Sequence, residues 1–232
     1  MTPSKNDQQI VIQIAALLSK LEDPFQMFPI GQVANTLAES VADSEEHLVR
    51  RTGWWGSGLK YRTVEEEHEI EVSFLLIGSA FVLGQTAITQ AVSIARKIRD
   101  LAGKPSWLPS RKEDILCTEA STNRNTDVSE MILVDALANY FKHHHEWPSD
   151  WNDQTPDRRQ HSQGPRGRTI DLVCRLGLSP EAYNNLEVAL SRLDFGAPGV
   201  GSLGRRIQDW RERLAESMRR SLCDHGYSVR SS

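Results

Sequence analysis

Asp135, Asn139 and His143 recur at i, i+4 and i+8 in the segment DVSEMILVDALANYFKHHHEWPSDW, with Lys142 and Glu146 beside them. On a helix this spacing sets the first three in one narrow polar stripe. A carboxylate, an amide and an imidazole on one face can orient one another, move a proton or read an anion. The same segment supplies the scaffold. Ile132, Leu133, Ala136, Leu137, Tyr140 and Phe141 fall together as an apolar face, so the stripe runs along the edge of a core helix. Asp127 and Glu130 match the spacing of an N-cap and its capping-box partner, and Trp147-Pro148 stops the helix.

His143-His144-His145 invites a metal reading, but adjacent helical residues point 100° apart and cannot ligate one ion together. His144 is expected toward the apolar side and His145 toward water. One working histidine, His143, fits better than a metal triad, and neither metal nor cofactor is expected. Gly199-Val200-Gly201-Ser202-Leu203-Gly204 matches GxGxxG letter for letter. A leucine-rich helix precedes it instead of a strand, so it reads as a helix–helix connection with Ser202 as N-cap. An anion docking on Ser202, Arg205 and Arg206 is the alternative.

The elements around the stripe are all helical. Ile10, Ile14, Leu17, Leu18 and Leu21 mark a first helix that Asp23-Pro24 ends, and residues 32–51 form a second. A third stretch, residues 63–103, carries no charge between Glu71 and Arg96. Its length passes for a membrane span, yet Ser73, Ser79, Gln85, Thr86, Thr89, Gln90 and Ser93 would be costly in lipid. It reads as the buried central helix of a bundle, with Gly78 and Gly84 among the small residues that allow close packing or a kink. A short helix follows at 112–117. Residues 149–168 read as a polar loop or linker. Beyond it lie helices at 169–176, one from Ser179-Pro180-Glu181, and one at 202–223 with Leu203, Ile207, Trp210, Leu214, Met218 and Leu222 on one face. Trp54-Trp55, between glycines, is expected to cap one end of the bundle. No β alternation stands out, and the class is all-α.

Composition adds bounds. The 232 residues hold three well-separated cysteines, which points to reduced thiols and a cytoplasmic setting. The N-terminal MTPSKNDQQ shows no secretory pattern. The net charge of −4 hides an asymmetry. Residues 1–155 hold 14 Lys/Arg and 22 Asp/Glu, whereas residues 156–232 hold 13 Arg, no Lys and 9 acids. Arg205, Arg206, Arg211, Arg213, Arg219 and Arg220 concentrate on the last helix, a surface for RNA or an acidic partner.

Asn139-Tyr140-Phe141-Lys142-His143, set between Ala136 and Trp147, resembles the NxxKH variant of the HEPN-like helical superfamily. The resemblance covers the long third helix and the 127–147 helix, about a third of the chain. It implies a helical bundle, self-association or a partner protein, and a place in bacterial conflict, defence or toxin–antitoxin biology. In the ribonuclease members an Arg and a His from facing subunits line an RNA cleft, with His as acid/base or orienting group and Arg stabilising phosphate. Here Ala138 stands where that Arg would be, with Lys142 as the nearby cation. The expected domain plan is a bundle over residues 1–148, a linker over 149–168, and Arg-rich helices over 169–232 packed on the same bundle. The expected role is a non-catalytic HEPN-like interaction module that binds a partner protein or RNA. Asp135, Glu146, Arg205, Arg206, Arg211 and Arg213 are its candidate binding residues. The rival is a metal-independent endoribonuclease using His143, Asn139 and Lys142.

Overall fold

A computed structural model describes residues 5–23, 29–52, 64–147, 149–151, 164–180, 182, 185–193 and 199–229. The Trp54-Trp55 pair and most of the polar 149–168 segment lie outside these residues. Eight α-helices and one minimal hairpin occupy the described residues, and the class is all-α. The helices are α1 (Lys5–Glu22), α2 (Ile30–Thr52), α3 (Val64–Leu101), α4 (Lys112–Cys117), α5 (Glu130–His143), α6 (Pro165–Arg175), α7 (Asn185–Arg192) and α8 (Val200–Asp224).

The long helix α3 is the axis of the bundle and touches α1, α2, α4, α5, α7 and α8. At 1.5 Å per residue it runs about 57 Å. By length and composition its segment Ile70–Leu101, mean hydropathy 1.7, would suffice to cross a membrane. Within the fold, Ile77, Phe81, Ile88, Val92 and Ile98 pack into the core shared with Leu133, Val134 and Leu137 of α5 and Leu203, Ile207 and Trp210 of α8. Each large side chain so buried contributes about 1.5–3 kcal/mol. A Cβ at Gly78 would sit 2.1 Å from the Phe141 ring, so the glycine lets α5 close on α3.

Several helix starts differ from the sequence expectation, that of α8 among them, which begins after Gly199 and not after Ser202. The α5 helix begins at Glu130 with Ser129 as N-cap, not at Asp127. Thr122–Asn123 and Val128–Ser129 pair as antiparallel strands β1 and β2, and Asp127 (φ 56°) belongs to their turn. Asn123 holds that turn: its Oδ1 accepts from the Asn125 and Thr126 amides and the Thr126 hydroxyl. Its Nδ2 donates to the carbonyls of Arg192 and Leu193. A short polar side chain that satisfies three donors outcompetes the capping box. Among the described residues α7 starts at Asn185, with Pro180 in the turn before it. Asn185 is buried and ties that turn to α5, donating to the Tyr140 hydroxyl at 2.8 Å and to the Ser179 carbonyl. The α6 helix starts at Pro165, inside the segment read as linker, with Gly164 as N-cap.

The GxGxxG segment opens α8. Gly199 is the N-cap residue at φ 109°, a conformation that favours glycine, and Ser202 sits inside the first turn with its hydroxyl on the Gly199 carbonyl. A Cβ at Gly204 would lie 2.9 Å from the Ile30 carbonyl oxygen and 3.0 Å from Gly31 Cα. Gly204, with Gly201 one turn before it against Asn35, lets α8 close on α2.

Candidate functional site

The polar stripe of α5 faces two other helices, and the side chain that joins them is Gln85, in the middle of the apolar run of α3. Its Nε2 donates to Asp135 Oδ1 at 2.8 Å and to Asn139 Oδ1 at 3.1 Å. Its Oε1 accepts from Lys142 Nζ at 2.7 Å. On the far side of Asp135, Lys112 of α4 bonds both carboxylate oxygens at 2.7 Å. Five side chains from three helices thus form one network, with Asp135 at 17% exposure and Lys112 at 36%. Such bonds to charged groups, partly withdrawn from water, contribute more than exposed pairs do.

His143 stands apart. It is 51% exposed, its Nδ1 lies 3.2 Å from Glu146 Oε1, and among the described residues no hydrogen bond joins it to Asp135, Asn139 or Lys142. Helix α5 ends at His143 and a single 3₁₀ turn, His144–Glu146, follows, which rotates Glu146 back onto His143. The hydrogen bond from His143, with help from His145 and Arg166, holds the Glu146 carboxyl below the usual glutamate range. His145 is exposed. His144 instead turns inward, edge-on to Phe74 and tilted against Tyr140. Tyr140 also meets Trp147 and Trp151, and burial pushes its phenol up, partly offset by the bond from Asn185. Among the described residues no group of three or more His, Cys, Asp or Glu is placed to hold a metal.

The arginines of α8 separate by burial. Arg205 and Arg220 are exposed; Arg206 is half-buried and engaged by a neighbour. Arg213 donates from Nε to the Glu119 carbonyl. Arg211 is fully buried and therefore lies outside any exposed basic surface. Its Nη2 caps the end of α1 through the carbonyls of Leu21 and Asp23, at 3.1 and 3.2 Å. Arg219 is 9% exposed and pairs with Glu22 and Glu216. Helical spacing already sets Arg211 among Ile207, Leu214, Met218 and Leu222, a signal for its burial that the count of arginines on the helix does not carry.

Gln85 and Lys112 were not singled out from sequence. Gln85 carried a signal: an amide in the centre of an uncharged helix needs buried partners. Lys112 carried none, since its partner lies 23 residues away on another helix.

The fold and this network define the class: an all-α bundle with a polar network fastening α3, α4 and α5. No protein-family model, curated protein or solved structure matches the chain.

Proposed function

We propose that this chain is a non-catalytic, HEPN-like helical interaction module that binds a partner protein or RNA. The network around Gln85 supports the reading. Asp135, Asn139 and Lys142 are engaged in holding helices together, and the imidazole that would complete a site points elsewhere. Ala138 leaves the stripe without an arginine to stabilise phosphate. Its contact surface would include exposed Arg205 and Arg220 on α8. The resemblance sets such a module in the bacterial cytoplasm, in conflict or toxin–antitoxin biology, as an oligomer or with a partner protein.

One observation favours the rival reading, a metal-independent endoribonuclease. Glu146 sits on Nδ1 of His143, and among the described residues Nε2 has no hydrogen-bond partner, the arrangement that orients an acid/base imidazole. RNA cleavage by the purified chain in the presence of chelator separates the two. The module reading expects no cleavage, and RNA or partner retention unchanged in His143→Ala. Cleavage that His143→Ala abolishes, at matched thermal stability, overturns it in favour of the nuclease.

A further inference from the structure

Away from the α5 stripe, an open cleft of about 410 Å³ lies between the 106–110 loop and α8. That volume falls within the range of small-molecule sites. Ser106 and Ser110 line it from the loop, and Ser217 and Ser221 line it from α8. The last two are four residues apart and share one helix face.

A serine or threonine inside a helix commonly returns its hydroxyl to the carbonyl one turn back. Ser40, Thr86 and Thr169 do so, bonding the carbonyls of Thr36, Val82 and Pro165. Ser217 and Ser221 do not. Among the described residues no partner engages either hydroxyl, nor those of Ser106 and Ser110. Four hydroxyls, each able to donate and accept, therefore border one cleft without a protein partner among the described residues.

The rest of the lining narrows the ligand chemistry. Among the described residues no lysine or arginine lines the cleft. Its one carboxylate, Asp114, is held by Arg111 through Nε and Nη2 at 3.2 and 3.0 Å. Leu108 and Met218, both nearly fully buried, supply an apolar floor. Trp107 lines one wall, fixed by a near-parallel stack on His225 at 3.9 Å. His225 is itself anchored through Nδ1 to the Ser221 carbonyl at 2.8 Å.

We infer that this cleft binds a neutral polyhydroxylated molecule, a mono- or disaccharide. Sugar hydroxyls match the four serines in both donor and acceptor roles, and sugar C–H faces match the apolar floor and indole. A phosphorylated ligand would find no lysine or arginine among the described residues that line the cleft. The site is independent of the α5 stripe and of the role proposed for it.

The test titrates the full chain with glucose, N-acetylglucosamine and maltose, with inorganic phosphate and AMP as charged comparators. Saturation-transfer NMR and calorimetry read binding. At least one neutral sugar is expected to bind saturably with a Kd of about 1 mM. Replacing two hydroxyls, Ser217→Ala with Ser221→Ala, is expected to weaken it about tenfold at unchanged melting temperature. Absence of saturable binding for all three sugars overturns the inference. So does preferential binding of phosphate or AMP, or sugar binding that the double variant leaves intact.

Discussion

Helices α5 and α8 both carry ionisable side chains into the bundle, but they neutralise them differently. On α5 every charged member of the stripe network meets a side-chain partner: Lys112 meets Asp135, Asp135 meets Gln85, and Lys142 meets Gln85. Water still reaches its edges, with Asp135 at 17% and Lys112 at 36% exposure. On α8 Arg211 is fully buried, and among the described residues its hydrogen bonds go to main-chain carbonyls at the end of α1. Among the described residues its Nε and Nη1 find no acceptor, and desolvation lowers its pKa, partly offset by Glu212 and Asp23. The α1 helix ends with unpaired carbonyls and the negative pole of its dipole, and a guanidinium answers both. One region is therefore a network of matched side chains. In the other, Arg211 is a buried cation set against a helix end, with Arg219 paired to Glu22 and Glu216 beside it.

That contrast predicts the largest effect at Arg211. Arg211→Ala strands the carbonyls of Leu21 and Asp23 and opens a cavity, and is expected to destabilise the fold by about 3 kcal/mol. Arg211→Met fills the volume and removes a buried charge with more than half of its donors idle, so it should lose clearly less. Urea denaturation of both variants checks the order. A Met variant as damaged as the Ala variant would mean that the cation itself holds α1.

Asp135→Ala should rank next, at about 2 kcal/mol, because it leaves Lys112 and Gln85 short of an acceptor inside a half-buried site. A double-mutant cycle between Lys112 and Asp135 is expected to give a coupling of about 1 kcal/mol. Additive effects would dissolve the network into separate surface contacts. Smaller still is Arg205→Glu with Arg220→Glu. Both side chains are exposed, so stability should stay within about 0.5 kcal/mol while retention of RNA or an acidic partner falls. A large loss of stability there would remove the distinction between the buried and exposed arginines.

Helices were legible in the sequence wherever apolar periodicity was long. Leu203, Ile207, Trp210, Leu214, Met218 and Leu222 marked the inner face of α8, and all six are buried. The polar stripe of α5 was legible as a face, and Asp135 and Asn139 do meet a common partner. His143 shares their periodicity but not their network, because α5 ends there and the following 3₁₀ turn brings Glu146 to it instead. Local rules erred where a distant group competed. Asn123 builds a hairpin turn that displaces the Asp127 cap, and it is anchored on carbonyls about seventy residues along the chain. Arg211 and Arg219 read as surface charge from the count of arginines on α8; helical spacing carries a signal for the burial of Arg211 but does not reveal that α1 ends against it.

The smallest predicted effect is the most direct probe of His143. Its partner Glu146 has a folded pKa below the usual glutamate range, first because of the His143 hydrogen bond. A carboxylate with a depressed folded pKa supports the fold above its unfolded pKa and loses that support as pH falls through the folded value. The loss therefore belongs on the acid side of the ordinary glutamate midpoint, in an exposed pair where salt screens the interaction. Carboxyl-carbon NMR of Glu146 should show a depressed midpoint in the wild type. In His143→Ala the midpoint should move back toward the ordinary range, leaving only the weaker pull of His145 and Arg166. An unchanged midpoint would mean that the two side chains do not pair in solution. His143 would then have both ring nitrogens open to solvent, without the partner that orients it for proton transfer.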